Sequence, residues 1–329
     1  MRKYRKNCLL TLLSVVILLM FYTVWDNNRV KIVEQKVLLD DLPADLEEYT
    51  IVQISDLHEK EFGTNQKRLI EAINSISYDA IIFTGDMLDG VESGNYRPFY
   101  SLIENISNKQ HAWFIPGNTD PNIYSDDSFD RSNFIQGMEE RGVELLESID
   151  TVRIGNSVIH FVDFEISFLN KPGKTEGIVE KEAPANISDE QYRIYQEQLI
   201  EDIHQTLDKA SYDNSILVAL NHYPVVDTRI DSLKNDSRYT FRDYDLIISG
   251  HYHGGQIRLP FVGALFVPEG WYRYGGIFPP RNRVKGIWEY NGIKQYVSTG
   301  LGSSDAIPFL KFRFLNSPEI NVLTLTSKR

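Results

Sequence analysis

The sequence has very little cysteine and an unequal balance of charge. Its 329 residues include one cysteine, Cys8, so an intrachain disulfide and a multi-cysteine zinc site are excluded, and we expect no disulfide partner. Acidic residues outnumber basic ones by 46 to 34, which gives a formal charge of −12. Because non-specific nucleic-acid binding requires clustered cations, we also expect no nucleic-acid partner. The composition, 42% hydrophobic and 24% charged, excludes disordered and fibrous classes.

A long hydrophobic run lies close to the N-terminus. Four cations within the first six residues precede Leu9–Trp25, a run of 17 uncharged and mostly apolar residues. Together with the two uncharged residues before it, the run is about long enough to cross a bilayer. Because no pair of small residues near its end suits cleavage, we predict that residues 1–30 form a cytoplasmic stub and an uncleaved signal anchor. The cations then place residues 31–329 outside the cytoplasm, in a single-pass protein of the cell membrane.

Beyond this run, short apolar segments rich in β-branched residues each end in a polar cluster. These segments are Thr50–Ile54, Ala80–Phe83, Ala112–Ile115, Ile216–Leu220 and Leu246–Ile248. Between the first two, Lys67–Ile76 carries apolar residues at helical spacing. Alternating strands and helices predict an α/β fold whose functional side chains lie beyond the carboxyl ends of the strands.

The polar clusters contain carboxylate, amide and imidazole side chains. The seven candidate metal ligands are Asp56, His58, Asp86, Asn118, His222, His251 and His253. This mixture suits Mn, Fe or Zn and is too rich in nitrogen for calcium. Seven ligands exceed what one ion usually takes from a protein. We therefore predict two divalent metal ions that share a carboxylate, which is an arrangement used to hydrolyse phosphate esters.

Taken in order, these clusters resemble the five motifs of the calcineurin-like metallophosphoesterases. The matching segments are Asp56-Leu57-His58, Gly85-Asp86, Gly117-Asn118, Asn221-His222 and Gly250-His251-Tyr252-His253. The resemblance covers about residues 50–327, and the string HGGQIRLP is similar to a bacterial membrane-associated phosphodiesterase branch. That branch includes enzymes that cleave UDP-2,3-diacylglucosamine. The resemblance implies a four-layer αββα sandwich of two mixed sheets, preceded here by one transmembrane helix.

The resemblance also implies roles for individual residues. One metal ion would be held by Asp56, His58, Asp86 and His253, and the other by Asp86, Asn118, His222 and His251. The implied reaction is hydrolysis of a phosphodiester or pyrophosphate bond by in-line attack of a metal-bridging hydroxide. The implied substrate is a phosphate ester, with a lipid or a nucleotide-linked lipid as the expected class. We expect Asp86, Asn118 and Thr119 to be the catalytic residues.

Thr119 marks a departure from the family pattern. The family usually has a histidine there, which stabilises the transition state and protonates the leaving oxygen. Threonine cannot be a general acid near neutral pH, although its hydroxyl can donate a hydrogen bond. One interpretation is a substrate whose leaving group needs little protonation, such as a pyrophosphate or an aryl phosphodiester. The alternatives are a catalytically weakened metal-binding surface module and a phosphoprotein or nucleotide phosphatase of the same fold.

Three further stretches have candidate roles. Tyr252, Gln256 and Arg258 are candidate substrate contacts, and a surface salt bridge is the equally weighted alternative for Arg258. Aromatic residues crowd Leu259–Pro280, for which we favour a hairpin of the second sheet and its core over a lipid-facing loop. Residues 170–210 turn from polar to amphipathic, which predicts an inserted helical segment that forms a cap or a surface helix.

Overall fold

The computed structural model describes residues 2–171, 186–209, 214–304 and 311–328. The helices in these ranges are α1 (Arg2–Asn27), α2 (Lys67–Asn74), α3 (Arg97–Asn105), α4 (Asn133–Glu139), α5 (Phe164–Ser167), α6 (Asp189–Lys209) and α7 (Asp227–Asn235). The strands are β1 (Lys31–Leu39), β2 (Thr50–Ile54), β3 (Ala80–Phe83), β4 (Ala112–Phe114), β5 (Glu144–Leu145), β6 (Ile149–Ile154), β7 (Ser157–Asp163), β8 (Ser215–Leu220), β9 (Leu246–Ser249), β10 (Arg258–Leu259), β11 (Gly263–Ala264), β12 (Gly286–Tyr290), β13 (Ile293–Val297) and β14 (Glu319–Ser327).

Two mixed sheets of six strands form the centre of the fold. The first has the order β1-β14-β2-β3-β4-β5, and the second has the order β12-β13-β9-β8-β7-β6. Strands β2 to β5 run parallel, and β14 pairs antiparallel with β2. In the second sheet β7, β8, β9 and β13 run parallel, while the edge strands β6 and β12 are antiparallel to their neighbours.

The strands are apolar on both faces because each sheet is covered on both sides. Successive strand residues point to opposite faces, so Ile82 packs between the sheets while its neighbour Ile81 packs under helices. The core between the sheets joins side chains from both, including Ile51, Ile82, Trp113, Phe161, Val218 and Ile248. Outside it, α3 and α4 cover the first sheet, and α6 and α7 cover the second. The predicted four-layer αββα sandwich of two mixed sheets is confirmed.

The predicted strands and the first helix match the structure closely. The five apolar segments correspond to β2, β3, β4, β8 and β9, and β4 ends at Phe114, one residue earlier than predicted. The predicted helix over Lys67–Ile76 is α2, which ends at Asn74. These runs are recognisable because parallel strands buried on both faces contain almost no polar residues until they reach the sheet edge.

The predicted inserted helical segment is described only in part. Its residues 172–185 and 210 lie outside the described residues. The described part contains α6, which buries Ile200, Ile203 and Leu207 in the core outside the second sheet. The ring of Tyr195 on α6 also stacks on Phe129 at 4.3 Å between ring centroids. Helix α6 is therefore a packed layer of the sandwich along much of its length.

The segment Leu259–Pro280 does not join the second sheet, so that part of the favoured interpretation was wrong. The core part holds, because Ala264 and Val267 pack in a buried cluster with Trp288 of β12 and Val297 of β13. Strands β10 and β11 form a separate two-stranded antiparallel sheet. The side chains of Phe261, Tyr274 and Phe278 are 93%, 69% and 66% exposed. The edge of the second sheet is already occupied by β12, so β10 and β11 do not extend that sheet. Aromatic content alone cannot distinguish a core hairpin from an exposed one.

Helix α1 stands apart from the sandwich over most of its length. Its large apolar side chains are exposed to the surroundings, whereas those of the other helices are packed inward. By length and composition, its residues Lys3–Asn27 are able to cross a membrane. Among the contacts of the described residues, those that tie α1 to the sandwich lie in its last turn, where the side chain of Asn27 hydrogen-bonds the backbone of Arg313.

Candidate metal centre

The predicted ligands converge because the strands that precede them end at the same edge of the sandwich. Asp56 follows β2 by two residues, and Asp86 follows β3 by three. In the second sheet, His222 and His251 each follow a strand, β8 and β9 respectively, by two residues. The strands run parallel within each sheet, so their carboxyl ends present these side chains to one cleft between the two sheets.

One half of the site contains Asp56, His58, Asp86 and His253. All four are buried, and each offers one ligand atom within 4.8 Å of the others. The Nε2 atoms of His58 and His253 are 3.2 Å apart. His58 Nε2 lies 3.5 Å from Asp86 Oδ2, and His253 Nε2 lies 3.5 Å from Asp56 Oδ1. Two carboxylates and two imidazoles at these distances can hold a divalent transition metal.

The other half contains His222 and His251 and shares Asp86 with the first. His222 Nε2 lies 3.3 Å from Asp86 Oδ2 and 3.2 Å from His251 Nδ1. The amide oxygen of Asn118 lies 3.2 Å from the same His222 nitrogen. Asp86 Oδ2 is therefore within 3.5 Å of an imidazole nitrogen from each half. All seven predicted ligands are brought together around this carboxylate.

The protonation of His222 provides a test of whether this site fits a cation. His222 Nδ1 lies 2.7 Å from the carbonyl oxygen of Thr84, which can only accept. Nδ1 therefore carries the proton, and Nε2 faces the oxygens of Asp86 and Asn118. Without a proton or a metal ion between them, the lone pair on His222 Nε2 would repel those on the oxygens of Asp86 and Asn118. The same negative surroundings raise the pKa of His222 to about 9, even though burial lowers it. The site therefore attracts a proton or a metal ion.

Burial prepares the other ligands for metal binding. It lowers the pKa of His251 to about 3, and it lowers that of His253 well below the ordinary value. Both imidazoles are thus neutral, which is the form that coordinates metals. Burial alone would raise the pKa of Asp86, but the nearby His222 and His58 hold it well below the usual range. Asp86 is therefore ionised at the centre of the cluster.

Much of the site is built on strained backbone. Left-handed φ angles, between 47° and 66°, occur at five of the seven predicted ligands: Asp56, His58, Asp86, His251 and His253. Such conformations cost of order 1–3 kcal/mol each for residues with a side chain, and they persist where the surroundings enforce them. A Cβ on Gly117 would overlap Asp86 Oδ1, so only glycine fits beside this carboxylate. The strain indicates that the ligand geometry is preserved at the expense of stability.

Thr119 contributes through its backbone as well as its hydroxyl. Its N–H donates to Asp86 Oδ1 at 2.9 Å, and its hydroxyl donates to the carbonyl oxygen of Leu88 at 2.7 Å. The hydroxyl proton is thus directed at the protein backbone. Asn118, by contrast, is exposed, and its amide oxygen faces His222.

The candidate substrate contacts differ in accessibility. Tyr252 is buried, and its hydroxyl donates to Glu269 at 2.5 Å. Gln256 is half-buried, and its amide bridges to the backbone of Ser304. Arg258 is half-buried and donates to the carbonyl oxygen of Gly254 at 2.6 Å. A substrate role for these three residues stays a prediction.

Asp120 is a residue of the site to which the sequence analysis gave no role. Its buried carboxylate accepts hydrogen bonds from the backbone N–H groups of Asp86, Met87, Leu88 and Gly117, at 2.7 to 3.2 Å. Burial and the neighbouring Asp86 raise the pKa of Asp120 to about 6, although these hydrogen bonds oppose the rise. Asp120 follows the predicted ligand Asn118 by two residues, and this spacing is the signal that could have identified it.

Arg313 is a second residue that the sequence analysis missed. Its fully buried guanidinium donates to the carbonyl oxygens of Asn316, Gly302 and His253, at 2.5 to 3.2 Å, and to that of Thr299. One side chain therefore joins the ligand loop at His253 to two other loops. No local pattern marks Arg313, because the partners of its guanidinium lie up to 60 residues away in the chain.

Comparisons with known proteins agree with this geometry. The profile of the family described as "Calcineurin-like phosphoesterase" matches residues 49–255. A Bacillus subtilis protein named "Uncharacterized metallophosphoesterase YkuE" is 26% identical over 307 residues, which cover 91% of this chain and 87% of the relative. A Helicobacter pylori protein named "Uncharacterized metallophosphoesterase" is 24% identical over the same length, with 91% and 65% covered.

Two shorter or more distant similarities complete the comparison. The Escherichia coli protein named "Phosphodiesterase YaeI" is 34% identical over 92 residues, which cover 27% of this chain and 29% of that protein. Among solved structures, the Thermus thermophilus sulfate thiohydrolase SoxB aligns with 85% of this chain and 57% of its own, at 12% identity and a TM-score of 0.38.

Proposed function

Because the chain belongs to the calcineurin-like phosphoesterase family, and is a metal-dependent phosphoester hydrolase, we propose that it is a two-metal phosphodiesterase or pyrophosphatase. The observation that carries this proposal is the position of Asp86. Its Oδ2 lies 3.5 Å from His58 Nε2 and 3.3 Å from His222 Nε2. One carboxylate oxygen between two groups of ligands is what a pair of ions with a bridging ligand requires.

Each half of the cluster is assigned one divalent ion, which we propose to be Mn, Fe or Zn. The first would be held by Asp56, His58, Asp86 and His253, and the second by Asp86, Asn118, His222 and His251. When bound, such ions would lower the pKa of a water molecule and neutralise phosphoryl oxygens. The residues of this chain supply the geometry, because the buried and neutral imidazoles of His251 and His253 are ready to coordinate and Asp86 is ionised between the two halves.

The environment of Thr119 supports a substrate with a good leaving group. Its hydroxyl is engaged by the carbonyl oxygen of Leu88, so it does not offer its proton to a leaving oxygen. General acid catalysis typically contributes about 10²–10⁴-fold to rate, and a poor leaving group depends on it most. We therefore propose pyrophosphates and aryl phosphodiesters as preferred substrates, and alkyl monoesters as poor ones. The backbone of Thr119 has a separate task, which is to orient Asp86.

We also propose that the catalytic domain, residues 31–329, is tethered to the outer side of the cell membrane by residues 1–30. This is supported by the exposed apolar surface of α1 and by the cations that precede it. A tethered phosphodiesterase would meet substrates that are themselves in the membrane. A lipid, or a nucleotide-linked lipid, is therefore the proposed substrate class.

The experiment that tests this function compares leaving groups at defined Mn²⁺. Purified full-length chain is assayed on bis(p-nitrophenyl) phosphate, on an alkyl phosphate monoester, on lipid-linked pyrophosphates, on phospholipids and on phosphopeptides. Activated diesters and lipid-linked pyrophosphates are expected to be cleaved fastest. Faster cleavage of phosphopeptides than of any lipid-linked substrate would contradict the proposed substrate class and would favour a phosphoprotein phosphatase.

A further inference from the structure

The turn between β10 and β11 exposes apolar side chains to the surroundings. We call residues 258–264 the aromatic hairpin. Phe261, at its tip, is almost completely exposed, and Val262 and Leu259 beside it are also exposed. Phe261 has a left-handed φ of 66°, a conformation in which glycine or asparagine is the usual residue. A large exposed aromatic residue at a strained position indicates a surface that binds something apolar.

The aromatic hairpin lies beside the end of α1. Its first strand is hydrogen-bonded to the segment around Phe314: Arg258 N donates to Phe314 O, and Phe314 N donates to Gln256 O, both at 3.0 Å. The preceding residue, Arg313, exchanges backbone hydrogen bonds of 2.7 and 2.8 Å with the side chain of Asn27, the last residue of α1. At about 3.4 Å per residue, Phe261 is roughly 10 Å further along the chain from Arg258. The hairpin is therefore next to the point where α1 leaves the sandwich.

Other exposed apolar residues extend this surface. Phe312 and Leu315 flank the segment that links the hairpin to α1, and both are exposed. The hairpin continues into a backbone bridge between Phe266 and Ile277, two further exposed residues. These exposed apolar residues lie on the segment that joins the hairpin to α1 and on the continuation of the hairpin itself. Their place beside a helix able to span a membrane favours the same apolar environment for α1 and the hairpin.

Basic residues surround the base of the hairpin. The side chain of Arg281 covers Gly263, where a Cβ would lie 3.4 Å from Arg281 Cγ. Burial lowers the pKa of Arg258, and the charge of Arg281 lowers it further, so these guanidinium groups are close enough to repel. Burial, together with Arg258 and Lys31, likewise lowers the pKa of Lys285. In a chain of net charge −12, cations gathered here match an anionic surface.

We propose that the aromatic hairpin inserts Phe261 and Val262 into the bilayer that holds α1, with Arg258 and Arg281 at the phosphates of anionic lipids. The occupant is the bilayer rather than a second copy of the chain, because the exposed hairpin lies beside the end of a helix able to span a membrane and has cations at its base. This inference rests on the membrane placement proposed above and does not depend on phosphoester hydrolysis.

The hairpin would also determine where the metal centre lies relative to the membrane. Four residues separate the predicted ligand His253 from Arg258. Five residue steps span at most about 17–18 Å when fully extended, so the cleft lies close to the surface that the hairpin enters. A substrate phosphate carried at the level of lipid headgroups would reach the cluster without leaving the membrane. This deepens the proposed preference for lipid-linked substrates.

The test uses the full-length chain in nanodiscs that contain anionic and zwitterionic phospholipid. A nitrobenzoxadiazole probe is attached to one cysteine at a time, and quenching by nitroxide lipids in the bilayer is measured. The native Cys8 in α1 reports on the anchor, and Phe261→Cys in a Cys8→Ser background reports on the hairpin. Leu38→Cys in the same background is the matched control. It is an exposed apolar residue of β1, about 23 Å along the strand from Lys31.

We expect the probes at Cys8 and at position 261 to be quenched and the probe at position 38 to be unaffected. Arg281→Gln, or discs without anionic lipid, should lower the ratio of inserted to free hairpin. The ratio is read from the amplitudes of the short lifetime of the quenched probe and the long lifetime of the unquenched probe at position 261. For one basic residue near the surface, the change expected is about fivefold. Metal content equal to that of the parent protein shows that each variant is folded.

Quenching at Cys8 without quenching at position 261 would overturn the inference and leave the anchor in place. If neither probe is quenched, both the anchor placement and the inference are wrong. The fluorescence of the probe at position 261 could instead change only at protein concentrations at which copies of the chain cross-link. The surface would then be an interface between copies, and the inference would be overturned. Quenching at position 261 in a protein that hydrolyses none of the phosphate esters would support the inference and contradict the proposed function.

Discussion

The carboxylate of Asp120 accepts a hydrogen bond of 2.7 Å from the backbone N–H of Asp86. It also accepts from Met87 and Leu88, the next two residues of the same loop. The residue that lies at the centre of the cluster is thus held in its left-handed conformation by a second, fully buried carboxylate. An ionised Asp120 satisfies these donors, and an amide side chain cannot satisfy all of them.

Asp120→Asn should weaken metal binding and turnover by about 10–100-fold, as is typical when a residue that orients a metal ligand is changed. The NH₂ group of asparagine would face backbone N–H groups that need an acceptor. Metal titration and hydrolysis of bis(p-nitrophenyl) phosphate measure the effect, and the exposed Asp41→Asn is the control. If Asp120→Asn bound metal and turned over substrate as the control does, the positioning role of Asp120 would be wrong.

Arg313→Lys should destabilise the protein even though it keeps the charge. An ammonium group is a point donor and cannot reach carbonyl oxygens on three separate loops, so several of them would be left buried and unsatisfied. Each such group costs about 1–3 kcal/mol, so we expect the free energy of unfolding to fall by at least about 2 kcal/mol. Metal affinity should fall as well, because the backbone of His253 loses one of its two side-chain donors and keeps only Asn316.

Denaturant unfolding of the metal-loaded protein checks this prediction. The matched control is Arg238→Lys on the surface, where the guanidinium pairs with Asp236 and the change should be small. Equal unfolding midpoints for the two variants would show that Arg313 does not join the loops in the way its hydrogen bonds indicate.

Thr119→His should increase the relative rate on alkyl phosphates. A histidine there would restore a group able to protonate a leaving oxygen, so the ratio of alkyl to aryl ester hydrolysis should rise by at least about tenfold. Thr119→Val is the control, because it removes only the hydroxyl, which donates its hydrogen bond to the carbonyl oxygen of Leu88. The leaving-group preference of this control should equal that of the wild type. Wild-type protein that cleaves alkyl monoesters as fast as activated diesters would contradict the account.

Metal affinity should rise with pH up to about pH 9 and then level off. In the metal-free site the pKa of His222 is raised to about 9, because attraction by Asp86 outweighs the effect of burial. Below that pH a metal ion must displace the proton on His222, so binding releases one proton, whereas above it none is released there. Isothermal titration calorimetry in buffers of different ionisation enthalpy counts the proton. Proton release that does not change between pH 7 and pH 10 would exclude this role for His222.

The sequence pattern predicted an α/β fold with the cluster beyond the strand ends, and the family resemblance supplied the four-layer sandwich. Strands such as Ala80–Phe83 are continuous apolar runs because both faces of the sheet are covered, and each run ends where the chain reaches the cleft. Asp120 and Arg313 could not be assigned roles in this way, because their function depends on backbone groups brought close by folding. The segment Leu259–Pro280 was assigned correctly only in part for a related reason. Its apolar composition does not show which side chains enter the core: Val267 is buried against Trp288, whereas Phe261 is exposed.

Metal-dependent hydrolysis by wild type and Asp86→Asn is the most direct test of the central claim, which is that Asp86 is shared by two metal ions. Metal content by mass spectrometry and hydrolysis of bis(p-nitrophenyl) phosphate are measured on both purified proteins, before and after chelation. We predict two ions per wild-type chain, activity that disappears with the chelator and returns with Mn²⁺, and loss of both properties in the variant. Equal turnover by wild type and Asp86→Asn, or turnover unaffected by complete removal of metal, would contradict the account.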